Sequence, residues 1–268
     1  PAPGAVRNPV QLGAELYGHA GVDADVEVVR LLLAVLEVTR AGPMQLDLGH
    51  VGIYRALAQA AGLDADTEHA LFGLLQRKAV PDMHALLDAA GVDHEAHGWL
   101  AALPTLYGDH AVLDEAGIRF AGAPAPVRAA LDELRAIATR LGDCAPAARL
   151  SFDLAELRGY GYHTGAVFAA YLPGQGQAIA RGGRYDGIGR VFGRDRPATG
   201  FSVELNKLVP AAGARVAPVA APADTDPALL DFIATLRAQG RAVVQLLEGE
   251  AHAGPRIERH GGAWRVRD

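Results

Sequence analysis

The most constraining feature of this sequence is a glycine-rich stretch in its second half. Residues 181–193 read RGGRYDGIGRVFG, and residues 197–208 read PATGFSVELNKL. Four glycines fall within eight residues, and charged and aromatic residues lie among them: Gly182, Gly183, Gly187 and Gly189, beside Arg181, Arg184, Tyr185 and Asp186. Glycine lets a backbone approach a ligand closely, whereas a plain turn needs only one or two glycines. The stretch therefore predicts a strand, a ligand-binding glycine loop, a second strand and a helix.

Two further segments collect polar side chains. Residues 11–17, QLGAELY, alternate as a half-buried strand and put Gln11 and Glu15 on one face. On periodicity alone, a solvent-facing strand edge is the better interpretation of that pattern. Residues 157–165, LRGYGYHTG, set a guanidinium, two phenols and an imidazole among glycines. That density of hydrogen-bonding groups exceeds what a hairpin turn needs, and it favours a second ligand-binding segment.

The other predicted elements alternate strands with helices. Residues 25–37 predict a helix that is capped by Asp25. Its apolar stripe comprises Val28, Leu31, Leu32, Val35 and Leu36. Strands are expected at 44–48 and 148–154, where apolar and polar residues alternate, and again at 166–172. The intervening alanine-rich region predicts helices at 66–78, 82–90, 95–103 and 127–141.

The isolated histidines and the cysteine do not indicate a metal or redox site. A lone histidine such as His50, which follows a predicted strand, is more often a hydrogen-bonded structural group than a catalytic one. His94 and His97 lie three residues apart but lack a third ligand, so a solvated helix start is favoured. Cys144 is the single cysteine, which excludes an internal disulfide and a CxxC motif. We predict no metal and no cofactor.

Length, hydrophobicity and charge narrow the class of protein. The 268 residues, of which 50% are hydrophobic, can bury a substantial core. The longest apolar run, at 31–36, is far shorter than a membrane span, and no signal-peptide pattern is visible, so a cytoplasmic protein without membrane contact is expected. The net charge of −6 argues against binding to a nucleic-acid backbone.

The glycine-rich stretch also carries a family resemblance. The phrase GGRYDG at 182–187, followed by ATGFS at 198–202, resembles the end of the class II histidyl-tRNA synthetase catalytic domain. It is more similar still to the synthetase paralogue that serves as the regulatory subunit of ATP phosphoribosyltransferase, where the phrase continues as VFGR at 191–194. The likeness covers most of the chain up to about Leu208. It implies an α/β (α+β) fold of the class II synthetase type, a mixed and mainly antiparallel sheet surrounded by helices.

The resemblance further implies a pocket for L-histidine. In such synthetases the residues matching Gln11 and Glu15 contact bound histidine, and an arginine at the place of Arg158 faces the substrate carboxylate, which suits its planar fork. A tyrosine usually stands where this chain has a histidine, at position 163. The further ligand-binding residues implied are Tyr162, His163 and Tyr185, with the glycine-loop residues Gly182, Gly183 and Gly187.

Three residues depart from the synthetase pattern. Class II synthetases end motif 3 with an arginine that clamps ATP, whereas this sequence has Lys207, preceded by Glu204 and Asn206 in place of glycine and glutamate. Lysine is a point charge that cannot reproduce the planar fork, and Glu204 should repel a nucleotide. Motif 1 and the outgoing strand of motif 2 are not visible, since the sequence begins almost at Gln11. Aminoacyl-adenylate chemistry is therefore unsupported, and no catalytic residue is predicted.

The sequence divides into three parts. Residues 1–209 predict the synthetase-like domain, the alanine- and proline-rich residues 210–226 predict a linker, and residues 227–268 predict a small α/β segment. The last part contains an amphipathic helix from Pro227 to Arg237 and a strand at 242–246. It is too short for the anticodon-binding domain of a histidyl-tRNA synthetase, which fits the regulatory subunit.

The predicted function is therefore non-catalytic. By resemblance, the chain would form a homodimer through its synthetase-like domain and would activate the separate catalytic subunit of ATP phosphoribosyltransferase in the first step of histidine biosynthesis. L-histidine would exert feedback by binding one arrangement of the complex better than another. Two alternatives remain open: a histidyl-tRNA synthetase fragment that activates histidine with ATP, and a free-standing histidine-binding dimer module.

Overall fold

The computed structural model of the chain describes residues 10–39, 43–142, 148–187, 189, 193, 196–208, 217–247, 249–250, 252 and 254–267. The chain forms two compact units, residues 1–209 and residues 210–268. Cys144 lies outside the described residues, as do Ile188, Arg190 and most of the VFGR motif.

The first unit is built around a seven-stranded sheet. Its strands are β1 (Gln11–Tyr17), β2 (Met44–His50), β3 (Tyr107–Gly108), β4 (Ala148–Asp153), β5 (Ala166–Tyr171), β6 (Ala180–Arg184) and β7 (Ala198–Glu204). They lie in the order β1-β7-β6-β5-β2-β4-β3. The pair β2 and β4 is parallel, and the other neighbouring pairs are antiparallel. The predicted mixed, mainly antiparallel sheet is confirmed.

Helices occupy most of the remaining chain of this unit. They are α1 (Val22–Val38), α2 (Val51–Ala60), α3 (Ala65–Gln76), α4 (Val80–Ala89), α5 (His94–Ala102), α6 (Ala111–Arg119), α7 (Ala125–Gly142) and α8 (Leu205–Leu208), with a 3-10 turn at Leu103–Thr105. Helix α6 was not predicted from the sequence. No helix within the described ranges is long and apolar enough to cross a membrane.

Helix α1 differs from its prediction in its start and in its buried face. The helix begins at Val22, with Gly21 in the N-cap position, so the prediction of Asp25 as the cap is wrong. Asp25 instead lies on the buried face of the helix and forms an ion pair with Arg184 on β6 at 3.0 Å. Leu31, predicted in the apolar stripe, is exposed, and Leu33 is buried instead. The paired charge takes a position that periodicity assigns to an apolar residue.

Alternation along the strands gives the sheet two chemically different faces. The covered face carries apolar residues such as Leu46, Leu48, Phe152, Phe168, Phe201 and Val203, all buried. Helix α1 packs against β1 and β7, and helix α7 packs against β2 and β5. Cross-strand register places polar residues together on the other side, here called the open face: Gln11, Glu15, Tyr17, Gln45, Asp47, Arg149, Ser151, Tyr171, Arg181, Ser202 and Glu204.

The predicted glycine loop is only partly a loop. Gly182 and Gly183 lie within β6 and pair with both neighbouring strands, whereas Gly187 lies in the turn that follows. A Cβ atom at Gly182 would lie 2.3 Å from the carbonyl oxygen of Gly200 and 2.4 Å from Cζ of Phe168. Close strand packing therefore explains glycine at that position, which sequence reasoning had attributed to a ligand.

Arg184 is also a structural residue rather than part of a ligand loop. Its guanidinium is buried on the covered face, where it donates to Asp25 and to the carbonyl oxygens of His19 and Gly21 at 3.0–3.1 Å. It also contacts the carboxylate of Asp186 at 3.1 Å. These contacts hold strand β6 against the start of α1.

The second unit has its own sheet and core. Its elements are β8 (Val219–Ala221), α9 (Pro227–Ala238), β9 (Val243–Gln245), β10 (Arg256–His260) and β11 (Ala263–Arg267), with sheet order β11-β10-β8-β9. Helix α9 buries Leu229, Ile233 and Leu236 against the sheet. The linker predicted at 210–226 is too long, because β8 is an inner strand of this sheet. Residues 209–216 lie outside the described residues.

Candidate ligand-binding site

The segment at 157–165, which follows β4, carries several predicted site residues and is held in place by contacts with residues of α2 and α3. Arg55 on α2 donates to the carbonyl oxygens of Tyr160 and His163 at 3.2 and 3.1 Å. The Tyr160 ring packs against Tyr54 and Phe72, with ring centroids 5.1 and 5.6 Å apart. Burial and a hydrogen bond to a glutamate raise the pKa of Tyr160 to about 12. The segment is thus held by both polar and aromatic contacts.

Gly159 gives this segment its shape. Its φ of +73° lies in the left-handed region that favours glycine. A Cβ atom there would lie 2.6 Å from Cδ2 of His163, so the imidazole occupies the space above the glycine. Burial lowers the pKa of the His163 imidazole, which favours its neutral form.

A pair of glycines brings two predicted site residues together. Gly183 on β6 and Gly200 on β7 are paired across the sheet. A Cβ atom on Gly183 would lie 2.9 Å from Nδ1 of His163, and one on Gly200 would lie 2.8 Å from Cγ of Glu15. Because directly paired residues lie only about 4.5–5.5 Å apart, Glu15 and His163 lie side by side over this glycine floor.

Three tyrosines border the same floor. The rings of Tyr162 and Tyr185 stack with centroids 4.8 Å apart, and Tyr17 meets Tyr185 edge-on at 6.5 Å. The Tyr17 hydroxyl donates to the Glu15 carboxylate, and this hydrogen bond raises the pKa of Tyr17. The Tyr185 hydroxyl is buried and has no hydrogen-bond partner among the described residues. An unpaired buried hydroxyl costs about 1–3 kcal/mol, so this atom is suited to a ligand.

A cavity of about 280 Å³ opens beside the floor. It is lined by Glu156, Arg158, Gly159, His163, Val167, Phe168, Ala169, Arg181 and Gly182. Arg158 donates through Nη1 to the Tyr171 hydroxyl at 3.0 Å, and its Nε lies 3.6 Å from the Glu156 carboxylate. Burial opposes the charged form of Arg158, but Glu156 and Tyr171 outweigh it and raise its pKa. The cavity thus has a fixed cation and an anion in its wall.

Gln11 lies apart from this cavity. It lines a smaller one, of about 130 Å³, with Arg181, Ser202 and Glu204. Arg181 lines both cavities and forms no hydrogen bond or ion pair through its side chain with any other described residue. Glu156 and Arg181 were not predicted as site residues. The signal available for Arg181 was its strand position, two residues before Gly183 and thus on the same face.

Lys207, at the end of the motif 3 stretch, is engaged within the protein. Its Nζ donates to the carbonyl oxygen of Ala178 at 3.0 Å and to the Glu204 carboxylate at 2.9 Å. Gly187 has open space where a Cβ atom would stand. Of the predicted site residues, the structure therefore groups Glu15, Arg158, Tyr162, His163 and Tyr185 and leaves Gln11 and Gly187 outside the group.

The other histidines make protein contacts. His50 accepts from the amide of Gly52 at 3.1 Å, and its Nε2 lies 3.0 Å from the Glu133 carboxylate, as expected of a structural group. This contact lowers the pKa of Glu133. His97 lies 3.3 Å from Asp88 and against the His84 ring. Across the described ranges, no three His, Cys, Asp or Glu side chains are arranged to hold a metal ion.

Comparison with known proteins identifies the family. The histidyl-tRNA synthetase family model matches residues 1–208, and the model of the ATP phosphoribosyltransferase subunit HisZ C-terminal domain matches residues 216–267. The ATP phosphoribosyltransferase regulatory subunit of Chromohalobacter salexigens is 53% identical over 97% of this chain and 68% of its own length. The chain belongs to the ATP phosphoribosyltransferase regulatory subunit family. The resemblance predicted from the glycine-rich stretch is confirmed.

Other family comparisons agree with this assignment. The regulatory subunit of Thioalkalivibrio sulfidiphilus is 56% identical over 91% of this chain. The chain spans 63% of that relative's length. A solved ATP phosphoribosyltransferase regulatory subunit/histidyl-tRNA synthetase from Bacillus halodurans is 27% identical, with a TM-score of 0.71 over 90% of this chain and 64% of its own. The predicted class II synthetase-like fold is confirmed.

Proposed function

We propose that this chain is the non-catalytic regulatory subunit of ATP phosphoribosyltransferase and that it senses L-histidine on the open face of its large sheet. The observation that carries the proposal is the glycine floor, where Glu15 and His163 lie side by side next to a cavity walled by Arg158 and Glu156. Arg158 and Glu156 suit the carboxylate and the ammonium group of free histidine, and Glu15 and His163 suit its imidazole.

Recognition of the amino-acid end would take place at Arg158 and Glu156. The Arg158 guanidinium is oriented by Tyr171 and Glu156 and keeps its Nη2 donors for a ligand carboxylate within the described structure. The Glu156 carboxylate, in the same cavity wall, would accept from the α-ammonium group. Burial of a zwitterion is unfavourable by several kcal/mol, roughly, unless both charges are paired, so both residues are needed.

Recognition of the imidazole would take place over the glycine floor. Glu15 offers carboxyl oxygens and burial lowers the pKa of His163, which favours a neutral ring, so the two can accept and donate around a ligand ring. The stacked pair of Tyr162 and Tyr185 offers an aromatic wall, and the buried Tyr185 hydroxyl lacks a partner there. Gln11 lines the neighbouring cavity, so it would contact the ligand only if the ligand extended past Arg181 into that cavity.

The absence of catalysis in this proposal rests on Lys207. By resemblance this residue stands where a synthetase holds ATP with an arginine, and here its ammonium group is bound to Ala178 and Glu204. A nucleotide at that end of the sheet would have to displace an internal ion pair and approach an acidic side chain. The proposed partner is the catalytic subunit of ATP phosphoribosyltransferase, which this chain would activate in the cytoplasm. The regulatory chain would act there as a homodimer.

The test is calorimetric titration of the full chain with L-histidine and, separately, with ATP and Mg²⁺. We expect histidine to bind and ATP not to bind. Arg158→Ala should weaken histidine binding about ten- to a hundred-fold, because a charge-assisted pair is lost, and Glu15→Ala should weaken it less. Arg149→Ala, which removes an arginine from the same open face but another cavity, is the matched control and should leave the affinity unchanged.

Reconstitution with the catalytic subunit completes the test. Phosphoribosyl transfer should rise when this chain is added and should fall again with histidine, but not for the Arg158→Ala variant. ATP binding would contradict the regulatory assignment and favour a synthetase fragment. Histidine binding without any effect on the transferase would favour the free-standing histidine-binding module.

A further inference from the structure

A second and larger cavity lies on the open face, away from the glycine floor. Its volume is about 560 Å³, within the range of about 300–1,000 Å³ that is usual for small-molecule sites. Charged and polar side chains on one side, Asp47, Arg149 and Tyr171, meet an apolar side formed by Pro43, Leu172 and Pro173. The proposed histidine site uses none of these residues as a ligand-binding group.

Asp47 is fixed in place with one carboxylate oxygen free. Its Oδ1 accepts from Nε2 of Gln45 at 2.8 Å and from the Ser151 hydroxyl. Its Oδ2 has no hydrogen-bond partner among the described side chains and backbone groups. The oriented carboxylate of this lining residue therefore keeps one free acceptor.

Arg149 lies diagonally across from Asp47 but does not neutralise it. Gln45 pairs with Arg149 and Asp47 pairs with Ser151, so Asp47 and Arg149 are diagonal neighbours on adjacent strands, with Cα atoms about 7–8 Å apart. They form no ion pair within 4.0 Å, and Arg149 has no other side-chain partner in the part of the chain that the structure describes. An exposed guanidinium and a carboxylate with a free oxygen thus belong to the lining of one cavity.

We propose that this cavity binds a sugar phosphate. The planar guanidinium of Arg149 matches two phosphate oxygens, which is the geometry at which arginine recognises phosphate. The free oxygen of Asp47 accepts from sugar hydroxyls, as acidic residues do at the ribose in dinucleotide sites. Pro43, Leu172 and Pro173 cover the C–H face of the sugar ring. A simple amino-acid zwitterion is too small to fill the volume between these groups.

The experiment is calorimetric titration of the full chain with ribose 5-phosphate, with ribose and with inorganic phosphate. Ribose 5-phosphate should bind more tightly than either half. Arg149→Ala should weaken its binding about ten- to a hundred-fold, and Asp47→Asn should bring its affinity close to that of inorganic phosphate. Arg30→Ala is the matched control, because Arg30 is exposed on α1 and likewise has no side-chain partner among the described residues.

A conservative variant guards against a folding effect. Arg149→Lys keeps the charge and loses the planar fork, so it should retain part of the affinity. The proposal is overturned if ribose 5-phosphate does not bind, if Arg149→Ala and Asp47→Asn both bind it as the parent does, or if inorganic phosphate binds as tightly. Histidine affinity in the same variants reports on the other site, so failure of one proposal is distinguishable from failure of the other.

Discussion

The two faces of the seven-stranded sheet are formed by the same strands but differ in side-chain polarity and in packing against helices. On the covered face, apolar side chains and the Arg184–Asp25 ion pair are packed under helices α1 and α7. On the open face, Asp47 and Arg149 lie close together without pairing, and a free hydroxyl remains at Tyr185. The difference teaches that the arginine buried beneath the helices is paired within the fold, whereas some polar groups of the open face have no partner among the described residues.

The largest expected effect on stability comes from removing one partner of the buried ion pair on the covered face. Arg184→Ala leaves Asp25 buried without its partner and should lower the free energy of unfolding by about 3–5 kcal/mol. The matched control is Arg140→Ala, since Arg140 pairs with Asp23 on the same helix. The side chains of the first pair are 5% and 3% exposed, and those of the second are 49% and 69% exposed.

Urea denaturation of both variants measures the difference. The exposed pair should contribute at most about 1 kcal/mol. Equal losses in the two variants would show that burial does not set the strength of these ion pairs, and the contrast between the faces would lose its energetic basis.

A smaller effect is expected from filling the space between strands. Gly182→Ala places a methyl group against Gly200 and Phe168, and this should lower the free energy of unfolding by about 2–3 kcal/mol through overpacking. Gly187→Ala, in the turn of the same motif, meets no atom within 4 Å and should change stability by less than about 0.5 kcal/mol. Thermal unfolding of the two variants measures the difference. If Gly182→Ala leaves the unfolding temperature unchanged, strand packing does not explain this glycine and a ligand-binding role is favoured.

The smallest effect concerns the pH dependence of stability. Burial lowers the pKa of His163 in the native chain below its ordinary value of about 6.5. As the pH falls through that value, the unfolded chain therefore takes up a proton that the native chain does not. The free energy of unfolding should therefore decline below about pH 6.5, and His163→Gln should decline less. Denaturation at pH 7.5 and pH 5.5 checks this, with the exposed His94→Gln as control; parallel declines in the parent and His163→Gln would contradict it.

Much of the fold could be predicted because it depends on short periodicities. The strand at Gln11–Tyr17 was predicted with its bounds, and helix α7 within two residues at its start and one at its end. Asp25 was misplaced because its partner Arg184 lies 159 residues away, and no local pattern reveals such a pair. Helix α6 was missed because its nine residues contain one glycine and three charges, which weakens the apolar stripe.

Several members of the candidate site could be predicted, but Glu156, Arg181 and the arrangement of the site could not. Side-chain types and the family resemblance pointed to Glu15, Arg158 and His163, and the structure groups them. Their proximity depends on the register between β1, β7 and β6, which a sequence does not show. For the same reason Gly183 was recognised as important, while its role as a floor beneath His163 became visible only in the structure.

The anchor provided by Arg55 has a consequence for how tightly the site can hold a small molecule. Its two hydrogen bonds to the carbonyl oxygens of Tyr160 and His163 order the segment that carries Arg158. The loss of conformational entropy for that segment therefore occurs when the chain folds and is not repeated at each binding event. A preorganised segment of this kind lets a few polar contacts discriminate a small ligand from its analogues at low concentration.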